Sequence, residues 1–471
     1  MKILLTGATG YIGKRLLPIL IKEGHSVVCC VRDVNRFNTD KEYLDNIEIV
    51  EVDFLNENSL TNIPKEIDAA YYLIHSMSST SDYQKYELEC ANNFKNRINI
   101  TYAKHVIYLS GIVNQKQLSK HLGSRKAVEN KLNEGNYNFT ALRAGIIIGS
   151  GSASFEIIRD LVEKLPIMVT PKWLNTKCQP ISIEDVVQFL FNSLNNQSVY
   201  NNNFDIGGPD ILTYREMLLD YAKIRKLKRW IYTVPVMTPK LSSYWLYFIT
   251  STSYKLAIAL VDSMKIEVVC RDTKINKLLN ITPVGYMEAL KQTVVDIDRD
   301  SILSSWKDSF ISGTINKKIT HYDKVPTYGC YFDKRTKVVL DRNKCIDKIW
   351  RIGGNSGWYY ANWLWRIRGF VDKIFGGVGL RRGRTHAEQI DTGDVIDFWR
   401  VLHSDKEGGR LLLFAEMKLP GEAWLEFKLE DNKLYQTATF LPKGLLGRLY
   451  WFLVLPLHGI VFNGLIKTLS K

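Results

Sequence analysis

Hydrophobic and polar positions follow two different patterns along the chain, and these predict two kinds of domain. In the first part, short apolar runs such as Lys2–Thr6 and His105–Ser110 alternate with longer amphipathic segments such as Tyr11–Glu23. This alternation predicts a parallel sheet wrapped by helices on both faces. The other predicted strands are Ser26–Val31, Ile47–Val52, Ala69–Ile74 and Phe139–Ile148; the other predicted helices are Asp82–Ala103, Ser124–Asn133, Ile183–Leu194, Thr213–Ile224 and Met287–Arg299.

Two of these helices begin with clear capping signals. Ser182 stands immediately before one of them, with Asp185 in its first turn. Thr213 precedes another, with Glu216 three residues later, which is the spacing of a capping box. Both serve as predicted N-caps.

After about residue 312 the pattern changes. Strand-like runs are separated by gaps of hairpin length and predict an antiparallel sheet, and a long apolar helix follows at 444–469. The runs are Thr336–Leu340, Val395–Leu402, Arg410–Met417, Ala423–Leu429 and Leu434–Phe440. We therefore predict an α/β chain: a doubly wound parallel-sheet domain over 1–305, and an α+β domain over 315–471 in which a long helix grips an antiparallel sheet.

Composition adds a charge argument to this outline. Of the 471 residues, 45% are hydrophobic and 24% are charged. These values are ordinary for globular proteins and exclude intrinsic disorder of the whole chain. The formal charge is +14, which favours phosphate-bearing partners such as nucleotides or anionic lipid. Because no long Lys/Arg block is present, we predict no nucleic-acid partner.

The seven cysteines are scattered and form no CxxC pair. This spacing argues against a disulfide framework and against a structural zinc site, so we predict no metal. Free thiols suit a reducing compartment, and we expect the chain to be cytoplasmic.

Membrane signals in the sequence are weak. Met1–Leu5 leads directly into a glycine turn without the apolar core of a signal peptide. Trp245–Val261 contains Lys255, and Tyr450–Phe462 is short and contains Pro456. We predict buried or amphipathic helices for both, and peripheral membrane contact stays open as an alternative.

The strongest chemical motif is the glycine-rich loop between the first strand and the first helix. Glycines at this position permit a tight turn, close backbone approach to a pyrophosphate, and close helix packing. The helix N-terminus then faces the phosphates. We predict a dinucleotide site whose loop residues are Thr6, Gly7, Thr9, Gly10, Tyr11, Ile12 and Gly13.

Residues after the next strands indicate which dinucleotide binds. Arg32 follows the second strand, where cofactors without a 2′-phosphate usually meet an acidic side chain. Its guanidinium favours NADP over NAD, although Asp33 follows directly. Asp53 ends the third strand and suits either the adenine amino group or a loop cap. His75 follows the fourth strand, where this fold places loops over the nicotinamide.

Together with the segment 180–186, these features resemble the extended and atypical branches of the short-chain dehydrogenase/reductase superfamily, including NmrA-like proteins. The resemblance covers about residues 1–300 and implies a Rossmann domain. It places Ser110 at the family's catalytic Ser. His121 and Arg125 stand where the family carries its catalytic Tyr and Lys. Because a guanidinium does not lose its proton, the ordinary Tyr/Lys mechanism is in doubt, and we assign Ser110, His121 and Arg125 as the candidate catalytic set.

The second domain resembles a domain of unknown function that accompanies such reductase-like modules in bacteria. Its strands and long helix also look like the helix-grip arrangement of START-like ligand-binding domains. Its aromatic cluster (Trp350, Trp358, Tyr359, Tyr360, Trp363, Trp365) is expected mainly to form core, with a ligand pocket or a membrane-facing patch as alternatives.

Three functions remain open from the sequence. The first is an atypical NADP-dependent oxidoreductase whose substrate the sequence does not identify, with a hydrophobic molecule as one option. The second is a non-catalytic NADP(H)-sensing regulator, and the third is a carrier of a lipid or other hydrophobic ligand. The oligomeric state is not predicted.

Overall fold

The structure is a computed structural model that describes residues 1–34, 37, 41–74, 83–114, 119–234, 258, 261–298, 325–326, 329–354, 356–375, 377–379 and 389–471. The chain divides into two compact units, Met1–Gly313 and Thr314–Lys471. Each unit has its own sheet and its own buried apolar core.

Strands in the N-terminal unit are short and largely buried. They are β1 (Lys2–Thr6), β2 (Ser26–Val31), β3 (Ile47–Glu51), β4 (Ala69–Tyr72), β5 (His105–Gly111), β6 (Asn138–Ala144), β7 (Ile147–Ile148), β8 (Ile167–Pro171), β9 (Lys177–Cys178), β10 (Ile181–Ser182), β11 (Asn202–Ile206), β12 (Leu212–Thr213) and β13 (Trp230–Val234). Seven of them form one parallel sheet in the order β11-β6-β5-β4-β1-β2-β3. The strand order reverses at β1, which is where ligands bind in sheets of this kind.

Helices cover both faces of that sheet. They are α1 (Gly13–Lys22), α2 (Tyr83–Ile98), α3 (Lys120–Leu132), α4 (Ala153–Lys164), α5 (Ile183–Ser193), α6 (Tyr214–Ile224), α7 (Lys274–Leu278) and α8 (Tyr286–Asp298). Leu16 of α1 and Val186 of α5 pack in the core on one face. Phe94 of α2 and Val128 of α3 pack on the other. The predicted doubly wound architecture is confirmed.

The ends of several helices and strands agree with the prediction, and others differ from it. Ser182 accepts a hydrogen bond from the Asp185 amide at 3.2 Å, and Thr213 with Glu216 forms a complete capping box, so both predicted caps are confirmed. The prediction of one strand over Phe139–Ile148 is wrong, because the chain breaks pairing after Ala144 and β7 pairs with β10 instead. The third helix begins at Lys120, earlier than predicted, because Ser119 caps it by accepting from the Leu122 amide.

The C-terminal unit is a six-stranded antiparallel sheet with helices. Its elements are β14 (Tyr331–Val338), α9 (Arg342–Trp350), α10 (Asn362–Ile374), β15 (Val395–Ile396), β16 (Trp399–Asp405), β17 (Arg410–Ala415), β18 (Gly421–Glu430), β19 (Lys433–Pro442) and α11 (Gly444–Leu469). The sheet order is β14-β19-β18-β17-β16-β15. The predicted antiparallel sheet with a long helix is confirmed. The predicted strand Val395–Leu402 is two strands, because Asp397 between them adopts φ +54°.

The aromatic cluster is divided between core and surface. The rings of Trp358 and Trp365 stack with centroids 4.7 Å apart, and Phe398 packs 5.8 Å from Trp365. Trp350 is buried as well, whereas Trp363 is 63% exposed. Trp350, Trp358 and Trp365 thus form core, as mainly expected, whereas Trp363 lies on the solvent-facing side of α10.

Candidate functional site

A cleft of about 190 Å³ opens at the carboxyl ends of β1 to β5, beside the point where the strand order reverses. This is the position at which a doubly wound sheet binds its ligand. Its lining comes from several segments: Gly7, Thr9, Gly10, Cys30, Val31, Arg32, Asp33, Val52, Asp53, Phe54, Leu55, Tyr72, Leu73, Ile74, Tyr86, Glu87, Cys90, Tyr108, Arg125 and Val128. The glycine loop, Arg32, Asp53 and Arg125, predicted at separate places in the sequence, thus border one cleft.

The glycine loop has the geometry that its sequence implies. Gly7 adopts φ +68°, and a Cβ there would lie 2.9 Å from the Leu73 carbonyl oxygen. The Gly10 amide donates to the Gly7 carbonyl at 2.8 Å, which closes the turn. A Cβ on Gly13 would lie 2.9 Å from the Ala8 Cα, so only glycine lets α1 begin directly against the loop. The loop backbone therefore lies open to the cleft.

Thr6, Tyr11, Ile12 and Gly13 shape this loop without lining the cleft. The Thr6 hydroxyl is fully buried; it donates to the Tyr71 carbonyl at 3.0 Å and accepts from the Leu73 amide at 3.0 Å. These two bonds join the ends of β1 and β4. The Thr6 hydroxyl therefore acts inside the fold, and any cofactor contact at this residue falls to its backbone.

A second small-residue loop, 149–152, lies beside the start of α1. The Arg15 guanidinium donates to the Ser150 carbonyl at 2.8 Å and lies over the Tyr11 ring at 4.2 Å. A Cβ on Gly149 would be 2.6 Å from the Tyr11 hydroxyl. A side chain at Gly149 would therefore collide with Tyr11 beside the first helix.

At the other end of the cleft, Arg32 is exposed and Asp33 is buried. Arg32 directly follows β2, so its guanidinium is free to meet solvent or ligand at the cleft rim. Asp53 accepts from the Leu55 amide at 3.1 Å, and its own amide donates to Ser59 at 2.9 Å. Asp53 thus caps the turn after β3 while it also borders the cleft.

The wall opposite the glycine loop comes from α2, α3 and β5. Ser124 donates to the buried Glu87 carboxylate, and Arg125 donates to the Leu109 carbonyl at 3.1 Å. Burial raises the pKa of Tyr108, against smaller opposing effects of Arg125 and Ser110. Burial also raises the pKa of Cys90 to about 12. Both groups are therefore protonated at neutral pH, and Cys90 does not supply a thiolate.

The three candidate catalytic residues are only partly brought together. Ser110 is buried near the end of β5, close enough to Tyr108 to affect its pKa. Arg125 lines the cleft, whereas His121, one helical turn earlier on α3 and partly buried, does not. Lys126 Nζ donates to Glu129 Oε1 at 3.3 Å on the same helix, so the Lys126 amine does not take the place of the Arg125 guanidinium. His75 lies outside the described residues.

Sequence reasoning missed the contribution of α2, namely Tyr86, Glu87 and Cys90. The sequence signal for them was that Cys90 lies one helical turn after Tyr86 and Glu87, on a helix that follows the fourth strand. Within the described ranges, no group of three or more His, Cys, Asp or Glu side chains is arranged to hold a metal ion.

Comparison with known families agrees with this geometry. Residues 3–109 match the NAD dependent epimerase/dehydratase family. Residues 330–465 match a family described as a protein of unknown function, DUF2867. The first match lies in the N-terminal unit, on the segment that carries the glycine loop. The second lies in the C-terminal unit, and its family has no assigned activity.

Individual relatives are distant. A chloroplastic divinyl chlorophyllide a 8-vinyl-reductase of Arabidopsis thaliana is 24% identical over 227 residues, which cover 44% of this chain and 54% of the relative. The chain thus spans about half the length of that curated relative. The structure of a triphenylmethane reductase from Citrobacter sp. matches with a TM-score of 0.51 at 16% identity, over 63% of this chain and 100% of that one. An Escherichia coli NADPH-dependent quinone oxidoreductase, complexed with NADPH, matches with a TM-score of 0.50 at 15% identity, over 62% and 99%.

Proposed function

We propose that this protein is an NADP(H)-dependent reductase acting on a hydrophobic small molecule, and that its N-terminal unit, which matches the NAD dependent epimerase/dehydratase family over residues 3–109, binds the cofactor. The observation that carries the proposal is the single cleft bordered by the glycine loop and Arg32. The glycine loop suits a pyrophosphate, and a guanidinium at the rim suits a 2′-phosphate. The name of the curated relative, a vinyl-reductase, supports reduction, whereas the matching family model is named for epimerases and dehydratases.

When bound, NADPH would supply a hydride for the acceptor, and the protein would supply the proton. Arg125 would hold the nicotinamide ribose or the acceptor oxygen by hydrogen bonds, since it keeps its proton. Ser110 orients the acceptor oxygen. His121 is the proposed proton donor, because it stands at the family's Tyr position, one helical turn before Arg125, and an imidazole can act as a general acid; it would have to reach the cleft from a position outside the lining.

Cofactor choice gives a direct test. Arg32→Ala is expected to weaken NADPH binding by about 10- to 100-fold, because a charge-assisted hydrogen bond is worth about 1.5–3 kcal/mol. NADH binding should change less than about twofold, since NADH lacks the 2′-phosphate. Titration followed by energy transfer from tryptophan to nicotinamide measures both constants. Lys274→Ala, which removes an exposed cation outside the cleft, is the control; equal losses for NADPH and NADH in Arg32→Ala would contradict the assignment.

Turnover gives the second test. With NADPH and the hydrophobic quinone menadione, wild-type protein is expected to consume NADPH, measured by its absorbance. His121→Gln should lower turnover by about 10²-fold or more while leaving NADPH affinity within about twofold, which is the pattern of a lost general acid. His25→Gln, in the same unit but away from the cleft, should have no effect. Unchanged turnover in His121→Gln would remove this residue from the mechanism.

A second candidate is a non-catalytic NADP(H) sensor. It is favoured by the arginine at the Lys position, whose guanidinium is engaged by the Leu109 carbonyl, and by the protonated Tyr108 nearby. This candidate predicts tight NADPH binding and no NADPH consumption with a panel of quinone and alkene acceptors.

A third candidate is that the C-terminal unit carries a hydrophobic ligand, as START-like domains do. It predicts a co-purifying molecule in native mass spectrometry.

We also propose a cytoplasmic location. All seven cysteines are free, which is compatible with a reducing compartment.

A further inference from the structure

Two helices of the C-terminal unit expose their apolar sides to solvent. On α10, Trp363, Ile367, Phe370 and Ile374 follow one another at spacings of four, three and four residues, so they form one stripe. About half or more of each of these residues is exposed. The opposite side of the same helix, at Trp365, is buried. An amphipathic helix normally has one apolar stripe, and that stripe faces the core. Helix α10 has two apolar stripes, one facing the core and one facing solvent.

Helix α11 repeats this arrangement over a longer distance. Its outer stripe, with spacings of three or four residues, consists of Leu446, Leu449, Leu453, Leu457 and Ile460. These positions extend over about 21 Å at 1.5 Å per residue. Phe452 and Leu455 widen the exposed area. An exposed apolar surface of this extent is unusual for a soluble monomer and marks an interaction site.

The two stripes are held in a fixed relation by contacts between the helices. Arg368 donates to the Tyr450 hydroxyl at 2.8 Å, and the ring centroids of Trp365 and Phe462 lie 6.2 Å apart. Both contacts are made by inner residues of the two helices. We take the two outer stripes together as one candidate docking surface and call it the α10–α11 surface.

Charge near this surface has one sign. Arg366, Lys443 and Arg448 are exposed on or beside the two helices. The sequence of α11 contains no Asp or Glu. Asp372, the acidic residue of α10, is buried and accepts from the amides of Gly379 and Lys418, each at 2.8 Å. Residues 314–471 hold 26 Lys/Arg against 16 Asp/Glu, a net charge of +10 out of the +14 of the whole chain.

We infer that the α10–α11 surface docks on an anionic lipid bilayer, with both helices lying in the headgroup region. Apolar side chains enter the acyl boundary while neighbouring cations meet lipid phosphates, which is the usual recognition of membranes by interfacial helices. A second copy of the chain fits less well, because it would bring Arg366 and Arg448 against their counterparts.

By length and composition, Leu446–Leu469 is also apolar enough to cross a membrane, and 28% of it is buried. Its inner residues argue against crossing. Phe462, Leu465 and Ile466 belong to the core of this unit, and Trp451 stacks on Phe440 with centroids 5.8 Å apart. Withdrawing α11 into a bilayer would remove this part of the core, whereas docking leaves it in place.

Vesicle flotation of the full-length protein tests this inference independently of cofactor binding. We expect flotation with vesicles of phosphatidylcholine containing about one third phosphatidylglycerol, and little with phosphatidylcholine alone. Phe370→Gln combined with Leu453→Gln should weaken flotation at least about tenfold, because two large apolar side chains no longer enter the bilayer. Leu340→Gln, a substitution of a residue 88% exposed in the same unit but outside both helices, should float like wild type.

Substitution of the exposed arginines provides a second test of the same inference. Arg366→Gln combined with Arg448→Gln should lower partitioning into the anionic vesicles by about fivefold for each charge. Circular dichroism and NADPH titration should be unchanged in all these variants, so a failure of docking is distinguishable from a failure of the proposed reductase function. The inference is overturned if wild-type protein does not float with anionic vesicles, if the Phe370/Leu453 variant floats like wild type, or if that variant only converts a dimer to a monomer.

Discussion

Gly7→Ala is expected to reduce NADPH affinity by roughly 100-fold and to destabilise the N-terminal unit by about 2–4 kcal/mol. Two separate effects add. Gly7 has φ +68°, a conformation that costs an L-residue about 1–2 kcal/mol. Its new Cβ would also lie 2.9 Å from the oxygen and 3.2 Å from the carbon of the Leu73 carbonyl. Because both of these are backbone atoms, the loop or the end of β4 must move, and the amides that would face a bound pyrophosphate move with it.

Gly24→Ala separates these two effects. Gly24 ends α1 with φ +78°, and a Cβ there would meet nothing within 4 Å. It should therefore show only the conformational cost of about 1–2 kcal/mol and retain wild-type NADPH affinity. Fluorescence titration with NADPH and urea unfolding measure the two quantities. If Gly7→Ala and Gly24→Ala bind NADPH equally well, the cleft is not where the phosphates lie.

Much of the N-terminal site could be predicted because its signals are local in sequence. Gly7, Gly10 and Gly13 lie within seven consecutive residues, and the hydrogen bond that closes their turn, from the Gly10 amide to the Gly7 carbonyl, is local in sequence. Arg32 and Asp53 follow recognisable strands, and the carboxyl ends of parallel strands meet at one edge. The wall from α2 could not be predicted in the same way. Glu87 looks like an ordinary solvated helix residue until Ser124, 37 positions later, contacts it.

In the C-terminal unit, too, the sequence alone predicts burial only in part. Trp363 and Trp365 are two residues apart on a helix, so they point about 200° apart, and the sequence alone separates them once the helix is recognised. Which of the two faces the core depends on the sheet beneath. Arg400 and Glu416 are harder still, because isolated charged residues in predicted strands are ordinarily assigned to the solvent side. Only the fold shows that both are buried together.

Glu416→Gln is expected to destabilise the C-terminal unit by about 3–5 kcal/mol. Arg400 and Glu416 are 0% and 1% exposed, with Arg400 Nη2 2.8 Å from Glu416 Oε1. Arg400 also donates to the Gly393 carbonyl at 2.6 Å. Neutralising the carboxylate leaves a guanidinium buried without its counter-charge, which costs far more than the pair contributes when intact. Urea unfolding followed by tryptophan emission measures the change, since 7 of the 11 tryptophans lie in residues 314–471.

Glu426→Gln is the matched control. Arg410 and Glu426 also form a cross-strand pair, with Nε 2.8 Å from Oε1, but their side chains are 38% and 25% exposed. Water replaces the lost partner there, so the expected cost is below about 1 kcal/mol. Arg400→Met combined with Glu416→Leu should recover most of the stability lost in Glu416→Gln, because removing both charges leaves neither unpaired. Equal costs for Glu416→Gln and Glu426→Gln would mean that water reaches Arg400, contrary to its complete burial in the structure.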